Sequence, residues 1–315
     1  MPAPAPCGAA GGERIMVLVA GTLGIDTILT PNGAPRECIG GSAVHFAYAA
    51  ALFGPVRIAG IVGEDFPPDA LRRLEARGID TAGIRIAPGK TFRWSGRYHA
   101  NMDDRDTLAT ELNVLATWEP EVPPAWSDSR VVFLANGSPR VQRAVMAQVA
   151  APDIVVCDTM DFWIRTEREE LDTLLREVDG VLMNESEILM YTGEASPIRA
   201  AQDLLDLGPE FVIVKKGAHG SILCTKEGVD ALPAYPVARV CDPTGAGDGF
   251  AGGFLGYLGA APSIRDRQTL KRALARATCV ASFNVEDFGA ARLEALAEDE
   301  LQHRVHEYAR MLAIG

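Results

Sequence analysis

The sequence has few features that would suit a metal cluster, a disulfide framework or a membrane anchor. Its six cysteines stand at positions 7, 38, 157, 224, 241 and 279, and none forms a Cys-x-x-Cys pair. Scattered thiols of this kind are typical of a reducing compartment, so we expect a cytoplasmic protein. The N-terminal residues lack a basic region followed by an apolar stretch, and no apolar run approaches the roughly 18 residues that span a bilayer.

Positive charge is also scarce. Acidic residues outnumber basic ones 42 to 30, which gives a net charge of −12. Non-specific nucleic-acid binding depends on neutralising phosphates with lysine and arginine, so this balance argues against a nucleic-acid partner. With 48% hydrophobic and 23% charged residues, the composition of the 315-residue chain is that of an ordinary globular protein.

Several motifs with well-defined chemistry are missing. No Gly-x-x-x-x-Gly-Lys-Ser/Thr segment occurs, which argues against a P-loop fold. The glycines at 245 and 247 are followed by Phe250 where a dinucleotide-binding fingerprint needs a third glycine. Neither a Gly-x-Ser-x-Gly elbow nor a His-Glu-x-x-His zinc motif is present.

The chain does contain an alternation of buried strands and amphipathic helices. Residues 15–21 form a continuous apolar run, which predicts a strand that is covered on both faces. Further strands are predicted within residues 56–63, 130–137, 153–158 and 181–187, the last of which ends in the Asn184-x-x-Glu187 segment. Helical patterns follow them, for example at 69–77, 270–283 and 293–312. This pattern predicts an α/β fold with a mostly parallel central sheet, whereas residues 1–12 are expected to form a flexible tail. Asp26 and Asp158, placed after or at strand ends, would lie at the edge where ligands bind.

The most informative segment is a glycine-rich turn at residues 241–249 that leads into an apolar helix. We expect this helix to begin near Asp248. The amides of Gly245, Ala246, Gly247 and Asp248 would then face one small volume, and the helix dipole would add positive charge, so the turn suits a phosphate. Asp248 could take a proton from an alcohol there, although an aspartate in this position could also serve only as a helix cap.

The Asp-Pro-Thr-Gly-Ala-Gly-Asp segment at 242–248 resembles the C-terminal signature of the ribokinase-like carbohydrate kinases, the PfkB family. Other segments match in the right order: Gly40-Gly41 before an alanine-rich helix, Asn184-x-x-Glu187, and Lys215-x-Gly217-x-x-Gly220. The resemblance implies a three-layer α/β/α kinase domain at about 13–315, with a small β lid from about 27–38 and 90–117. It also implies ATP-dependent phosphorylation of a primary hydroxyl of a small sugar.

On the acceptor side, the resemblance implies that Asp26 holds two hydroxyls of the acceptor and that Gly40 and Gly41 line its pocket. His45 departs from the family, since many sugar-specific members have asparagine there. We assign His45 to the acceptor site. The alternative is that it is only a partly buried residue of the helix.

Residues 91–99 alternate with period two, which predicts a lid strand with one aromatic and one basic, polar face. Arg97, on the polar face, and Asn101, in the turn that follows, are assigned to the acceptor site, and Arg105 lies within reach of it. An ordinary surface hairpin is the alternative. An exposed lid sheet could also pair between subunits, so a homodimer through the lid is a further expectation.

On the nucleotide side, the resemblance implies ATP and Mg²⁺ as cofactors and, in some members, a monovalent cation such as K⁺ near the loop at 284–289. Glu187 is expected to support the metal indirectly, through water. The alternative for Asn184 is a helix cap. The residues assigned to ATP binding are Asn184, Glu187, Lys215, Gly217, Gly220, Thr244 and Asn284.

The identity of the acceptor remains open at this point. A sugar needs mainly hydrogen-bonding groups, whereas a ribonucleoside also needs a flat apolar slot, which Phe92, Trp94 or Tyr98 could supply by stacking. The Asp-Pro-Thr form of the signature and His45 favour nucleosides slightly, but a sugar is the default for the family. A non-catalytic sugar or nucleotide sensor with the same fold is a further alternative, against which the intact Gly-Ala-Gly-Asp segment argues.

Overall fold

The computed structural model of the protein describes residues 16–31 and 33–313, so the predicted tail at 1–12 lies outside the described residues. Its strands are β1 Val17–Ala20, β2 Gly24–Leu29, β3 Arg36–Gly40, β4 Val56–Gly63, β5 Ile79–Ala87, β6 Phe92–Tyr98, β7 Arg105–Glu111, β8 Val131–Leu134, β9 Ile154–Asp158, β10 Gly180–Asn184, β11 Phe211–Lys215, β12 Ser221–Thr225 and β13 Gly228–Leu232. Its helices are α1 Ser42–Ala50, α2 Pro68–Ala76, α3 Pro139–Met146, α4 Asp161–Thr166, α5 Arg168–Glu177, α6 Glu185–Thr192, α7 Pro197–Leu207, α8 Ala246–Ala260, α9 Arg267–Asn284, α10 Ala291–Ala295 and α11 Glu298–Leu312.

A nine-stranded sheet forms the centre of the molecule, in the order β13-β12-β11-β10-β9-β8-β1-β4-β5. Strands β11 to β5 in this order are all parallel, and β12 and β13 add an antiparallel edge. Every residue of β1, β4, β8 and β9 is buried, as expected of strands with helices on both faces. The predicted α/β architecture with a mostly parallel sheet is confirmed.

Helices cover the sheet on both faces and complete three layers. One hydrophobic cluster contains apolar residues of α1, α8 and α9 together with one face of the sheet. A second cluster combines the other face with α3, α5 and α7. The helix expected at 293–312 is divided into α10 and α11 by a break after Ala295.

Two small-residue helices lie in close contact and bring two chain segments together. Added side chains at Gly252 and Gly256 of α8 would collide with the backbone of α1 at Phe46 and Ala50. Without side chains at these glycines the two helix backbones can approach each other, which larger residues would prevent. The N-terminal ends of α1 and α8 therefore sit near each other, at the carboxyl edge of the sheet.

A second sheet, which we call the lid, has four strands in the order β3-β2-β6-β7. Strands β2 and β3, and β6 and β7, are antiparallel pairs, and β2 runs parallel to β6. Asp26 was expected in a loop after the first strand, but it lies within β2, opposite Cys38 of β3. The lid strand therefore begins before Asp26, at Gly24, and Asp26 reaches the site from the lid.

Candidate active site

The expected site residues gather where the carboxyl ends of the central strands meet the starts of α1 and α8. Strands β9, β10 and β11 end in Asp158, Asn184 and Lys215. Helix α8 begins just before Asp248. In open α/β sheets this edge, where loops replace paired backbone, is the usual ligand-binding edge.

The turn before α8 is held in shape by Asp242. This fully buried carboxylate accepts hydrogen bonds from the amides of Thr244 and Gly289, both at 2.9 Å. Gly245 has φ 73° and directly precedes the helix, which begins at Ala246 and not at Asp248. The amide of Ala246 was expected to face a ligand, but it donates to the carbonyl of Pro243 at 3.2 Å.

The amides of Gly247 and Asp248 belong to the first turn of α8, where no carbonyl lies one turn earlier in the helix to receive them. They point outward from the positive end of the helix dipole, as the anion-binding interpretation requires. The nitrogen of the Lys215 ammonium lies 3.3 Å from the position that a β-carbon at Gly247 would occupy. Backbone donors and a cation therefore converge on the same place.

Burial and, after it, the nearby charge of Asp158 raise the pKa of Asp248 to about 7, while Lys215 and Arg105 act in the opposite direction. A carboxylate in water would be a weak base at neutral pH. One whose pKa lies near the working pH is better matched to removing a proton from an alcohol. The environment of Asp248 is therefore that of a general base.

Lys215 is paired with Asp158, whose Oδ2 lies 2.5 Å from the ammonium nitrogen. Burial alone would lower the pKa of Lys215, but the charges of Asp158, Glu187 and Asp248 raise it, so the ammonium stays protonated. Asp158 was expected at the ligand edge, although not as a partner of Lys215. The pair is buried, with 15% of the Lys215 side chain and 4% of that of Asp158 exposed.

Asn184 and Glu187 form a reciprocal cap at the start of α6. Oδ1 of Asn184 accepts from the Glu187 amide and Oε2 of Glu187 accepts from the Asn184 amide, both at 2.8 Å. Asn184 therefore caps α6, its assignment to ATP binding stays a prediction, and Glu187 keeps its second carboxylate oxygen. Burial raises the pKa of Glu187 to about 7, an effect that the charge of Lys215 opposes.

Asp26 contacts the glycine pair at the start of α1. Its carboxylate packs against Gly40 and accepts a hydrogen bond from the amide of Gly41. Burial and the charges of Asp242 and Asp248 together raise the pKa of Asp26 to about 7. Asp248 is thus close enough for its charge to affect the pKa of Asp26. This proximity is compatible with one small acceptor contacting both carboxylates.

The aromatic face of the lid is the one that faces the site. Tyr98 is buried and its phenol oxygen lies 2.9 Å from Oγ1 of Thr244. Arg97 lies on the opposite face and is exposed, because neighbouring residues of a strand point to opposite sides. The expected contact of Arg97 with the acceptor therefore does not fit its position.

Asn101 is also placed differently from expectation. Its Oδ1 accepts from the amides of Asp103 and Asp104, and its Nδ2 donates to the carboxylate of Asp104. These bonds close the hairpin turn between β6 and β7, and they occupy the polar atoms that would have bound an acceptor.

His45 and Asn284 lie beneath the glycine turn. The His45 ring packs against Gly245, and its Nδ1 lies 2.8 Å from Oδ1 of Asn284. Asn284 donates through Nδ2 to the carbonyl of Thr244 at 2.8 Å. Both side chains are 1% exposed or less, so they support the turn from below and do not border an open pocket. This differs from the direct acceptor and ATP contacts expected of them.

The loop after β11 contains the two glycines that were assigned to ATP binding. Gly217 and Gly220 both have positive φ, 52° and 90°. A methyl group at Gly217 would lie 2.7 Å from Oδ1 of Asp103, so the tip of the lid hairpin touches this loop. Sequence reasoning missed this contact, and it missed the role of Asp242, although the Asp-Pro start of the signature pointed to that residue. It considered Tyr98 as a stacking surface and not as a partner of Thr244.

A surface cavity of about 590 Å³ lies away from this site. It is lined by Arg130, Asp153 and Arg265 among others, next to the N-terminal ends of β8 and β9. Arg130 pairs with Asp153 at 2.5 Å, and Arg265 pairs with Asp179 and Glu210. The charged groups of this cavity are paired with one another, so the carboxyl edge of the central sheet remains the better candidate for the active site.

Known proteins resemble this chain in sequence and in fold. The model of the pfkB family carbohydrate kinases matches residues 15–296. The chain belongs to the PfkB family. Members of this family are ATP-dependent kinases that use a divalent metal, and this chain is such a kinase.

Two relatives show the range of acceptors in the family. A cytidine kinase of Thermococcus kodakarensis is 32% identical over 76% of this chain and 88% of its own length. An ATP-dependent 6-phosphofructokinase of Thermoanaerobacterium thermosaccharolyticum is 24% identical over 88% of this chain and 90% of its own length. Sugar and nucleoside acceptors are therefore both represented among relatives of this PfkB protein.

The crystal structure of the nucleoside kinase of Methanocaldococcus jannaschii, an archaeal member of the ribokinase family, superimposes with a TM-score of 0.76. The match covers 94% of this chain and all of that one, at 20% identity. The ribokinase-like fold expected from the signature is thereby confirmed. Within residues 16–31 and 33–313, none of the helices has both the length and the apolar character that crossing a membrane requires.

Proposed function

We propose that this kinase phosphorylates the primary hydroxyl of a ribonucleoside. The observation that carries the choice of acceptor is the inward aromatic face of the lid. Trp94, whose ring lies over Gly96, shares this face with Tyr98, which bonds to Thr244. A partly exposed indole offers the flat apolar surface that a nucleobase needs and a sugar does not. The 32% identity with a cytidine kinase supports the same acceptor class.

In the proposed mechanism, Asp26 and the glycines at 40 and 41 hold the acceptor hydroxyls. Asp248 accepts the proton of the primary hydroxyl as that oxygen attacks phosphorus. A positioned base typically contributes about 10²–10⁴-fold to the rate. The raised pKa of Asp248, about 7, makes its carboxylate a suitable proton acceptor near neutral pH.

The transferred phosphoryl group lies, in this proposal, against the amides of Gly247 and Asp248. Lys215 stands beside them and is kept protonated by its carboxylate neighbours. Phosphoryl transfer depends mainly on positioning and charge stabilisation, so donors fixed in a rigid turn reduce the reorganisation that the reaction needs.

The site residues fit Mg²⁺ held mainly by phosphates and water. Within the described residues there is no cluster of three or more side chains that could hold a metal by itself. Glu187 retains one free carboxylate oxygen and Asp158 lies nearby, which suits a cation that keeps most of its water. Mg²⁺ bound there would neutralise phosphate charge during transfer.

A monovalent cation is proposed beside Asp242. This carboxylate is fully buried, and in the described part of the chain no lysine or arginine pairs with it. A buried charge of this kind is costly unless a cation lies close by. Turnover should then increase when choline chloride is replaced by potassium chloride at constant ionic strength.

A homodimer through the lid is proposed from the edge strand β7. All seven of its residues are exposed, including Leu108 at 45%. Such an edge offers unpaired backbone groups to a second copy. Light scattering of the protein and of Leu108→Lys, which adds a charge to this edge, tests the assignment.

A small sugar is the second candidate, since a 6-phosphofructokinase resembles the chain over 90% of its own length. Initial rates of ATP consumption with cytidine, uridine, adenosine, inosine, ribose and fructose separate the two. We expect kcat/KM to be highest for a nucleoside, and Trp94→Leu to lower nucleoside turnover much more than sugar turnover. Preferred turnover of a free sugar, unaffected by Trp94→Leu, would overturn the nucleoside assignment.

A further inference from the structure

The lid hairpin reaches past the acceptor side and over the place of phosphoryl transfer. At the end of β6, Tyr98 is hydrogen bonded to Thr244 of the glycine turn. At the tip of the hairpin, Asp103 touches Gly217 of the nucleotide-side loop. The residues between these two contacts must therefore cross the space between the anion-binding turn and the nucleotide loop.

Arg105 lies two residues beyond Asp103, where the chain returns from the tip of the hairpin, and it shares the face of Tyr98. It is the first residue of β7 and stands directly opposite Tyr98 in the antiparallel ladder. Directly opposed residues project to the same side of a sheet, so Arg105 extends toward the side on which Tyr98 meets Thr244. Its guanidinium carbon lies 5.9 Å from the centre of the Trp94 ring, a contact that orients the side chain.

The charge of Arg105 acts on groups from three different elements. It lowers the pKa of Asp248 on α8, of Glu187 on α6 and of Tyr98 on β6. The guanidinium is therefore near the middle of the site, in agreement with the positions of the strand and the hairpin tip.

Arg105 differs from the lysines around it in having no anionic partner. Lys215 is paired with Asp158, and Lys216 pairs with Glu185 at 3.2 Å. Arg105 is exposed and makes no ion pair with any residue in the ranges 16–31 and 33–313. A guanidinium presents five N–H donors in a geometry that matches two phosphate oxygens, so this free cation suits a phosphate ligand.

We propose that Arg105 binds the transferred phosphoryl group from the lid side, opposite the amides of Gly247 and Asp248. This inference rests on phosphoryl transfer at the α8 turn, which is part of the proposed function. The acceptor oxygen forms a bond to the γ-phosphorus, the bond from that phosphorus to the bridging oxygen of ADP breaks, and the proton goes to Asp248. Arg105 only donates hydrogen bonds to the equatorial oxygens, whose charge is stabilised during the transfer.

The first test measures nucleotide affinity and needs no acceptor. Arg105→Gln and Arg105→Lys are compared with Arg97→Gln, a matched control because Arg97 is an exposed arginine on the outward face of the same hairpin. Titration calorimetry with Mg²⁺ gives the affinities for a non-hydrolysable ATP analogue and for ADP. Loss of a charge-assisted contact predicts about tenfold or more weaker binding of the analogue by Arg105→Gln, with ADP binding unchanged.

The second test measures turnover with the best acceptor. Arg105→Gln should lower kcat by about 10²-fold, the loss typical of removing one transition-state donor. Guanidinium chloride should restore part of the activity of Arg105→Ala, and Arg97→Gln should resemble the wild type. An equal loss of affinity for ADP and for the analogue, or an equal effect of Arg97→Gln, would show that Arg105 only supports the lid. If wild type phosphorylates none of the acceptors, the proposed function fails, yet the ratio of the two affinities still decides the role of Arg105.

Discussion

The phenol oxygen of Tyr98 lies 2.9 Å from Oγ1 of Thr244, so the lid is hydrogen bonded to the glycine turn that precedes α8. These two residues are 146 positions apart in the chain. Burial raises the pKa of Tyr98 to about 12, so the phenol keeps its proton at neutral pH and the bond persists. The position of the lid is thereby linked to the turn on which the proposed mechanism depends.

Removal of this bond should loosen the lid without removing a catalytic group. A neutral hydrogen bond contributes about 0.5–1.5 kcal/mol, so Tyr98→Phe should raise the KM of the acceptor by roughly two- to tenfold. Steady-state kinetics of Tyr98→Phe, Thr244→Val and the double variant form a mutant cycle. The double variant should be little worse than either single one, whereas fully additive losses would show that the two side chains act independently.

The glycine turn should tolerate no side chain at its left-handed residue. Gly245 has φ 73°, and a methyl group there would collide with the His45 ring. Gly193 has nearly the same conformation, φ 77°, with open space around it. Gly193→Ala should therefore show only the cost of the left-handed backbone, about 1–2 kcal/mol in the free energy of unfolding. Gly245→Ala should lose more stability, together with activity, in urea unfolding and rate measurements; equal losses of stability would argue against the His45 contact.

Removing one partner of the buried Lys215–Asp158 pair should lower the free energy of unfolding more than removing both partners. Asp158→Asn leaves the Lys215 ammonium without its 2.5 Å carboxylate. Breaking a buried pair in this way typically costs about 3–5 kcal/mol, while replacing both charges by neutral groups costs less. Urea unfolding should therefore rank Asp158→Asn as less stable than the double variant with Lys215→Met. The reverse ranking would show that Lys215 is solvated well enough without its partner.

The stability of the protein should respond to pH through Asp26. Burial and the charges of Asp242 and Asp248 raise its pKa from 3.8 to about 7 in the folded state. The folded state therefore binds the proton more tightly than the unfolded chain, and the stability that this provides is fully present below about pH 4 and lost as the pH rises through 7. Asp26→Asn, which removes the charge, should raise the free energy of unfolding at pH 8 and have little effect at pH 4.

A second aspartate provides the control for this pH effect. The pKa of exposed Asp69 is lowered, by hydrogen bonds from Arg72 and Arg73, so its linkage has the opposite sign. Asp69→Asn should give a small loss of stability at pH 8 and no gain. A gain of equal size in both variants would instead reflect the net charge of −12.

The positions of the central strands along the chain and the glycine turn before α8 could be predicted from the sequence because each depends on local patterns. Residues 154–157, for example, are all apolar and are followed by Asp158, so both a buried strand and a polar strand end are visible in this segment. Likewise, the glycine-rich turn followed by apolar residues at helical spacing indicates where α8 begins.

The errors concern choices that only the tertiary structure makes. The alternation of residues in β6 places Arg97 and Tyr98 on opposite faces of the lid, but it does not determine which face is turned toward the site. The hydrogen bond between Tyr98 and Thr244 shows that the aromatic face is the inner one. His45 and Asn284 are 239 residues apart, so their hydrogen bond under the turn leaves no trace in either local segment. Asp26 lies on a lid strand whose short polar and apolar mixture resembles a loop.

The central claim is that Asp248 removes the proton of the acceptor hydroxyl at a turn that binds the phosphoryl group independently. The direct measurement compares Asp248→Asn with the wild type, using single-turnover transfer of labelled phosphate to the acceptor and calorimetric binding of an ATP analogue. The account predicts that transfer falls by about 10²–10⁴-fold while the affinity for the analogue stays within a few fold. Transfer by Asp248→Asn at more than roughly a tenth of the wild-type rate would contradict it.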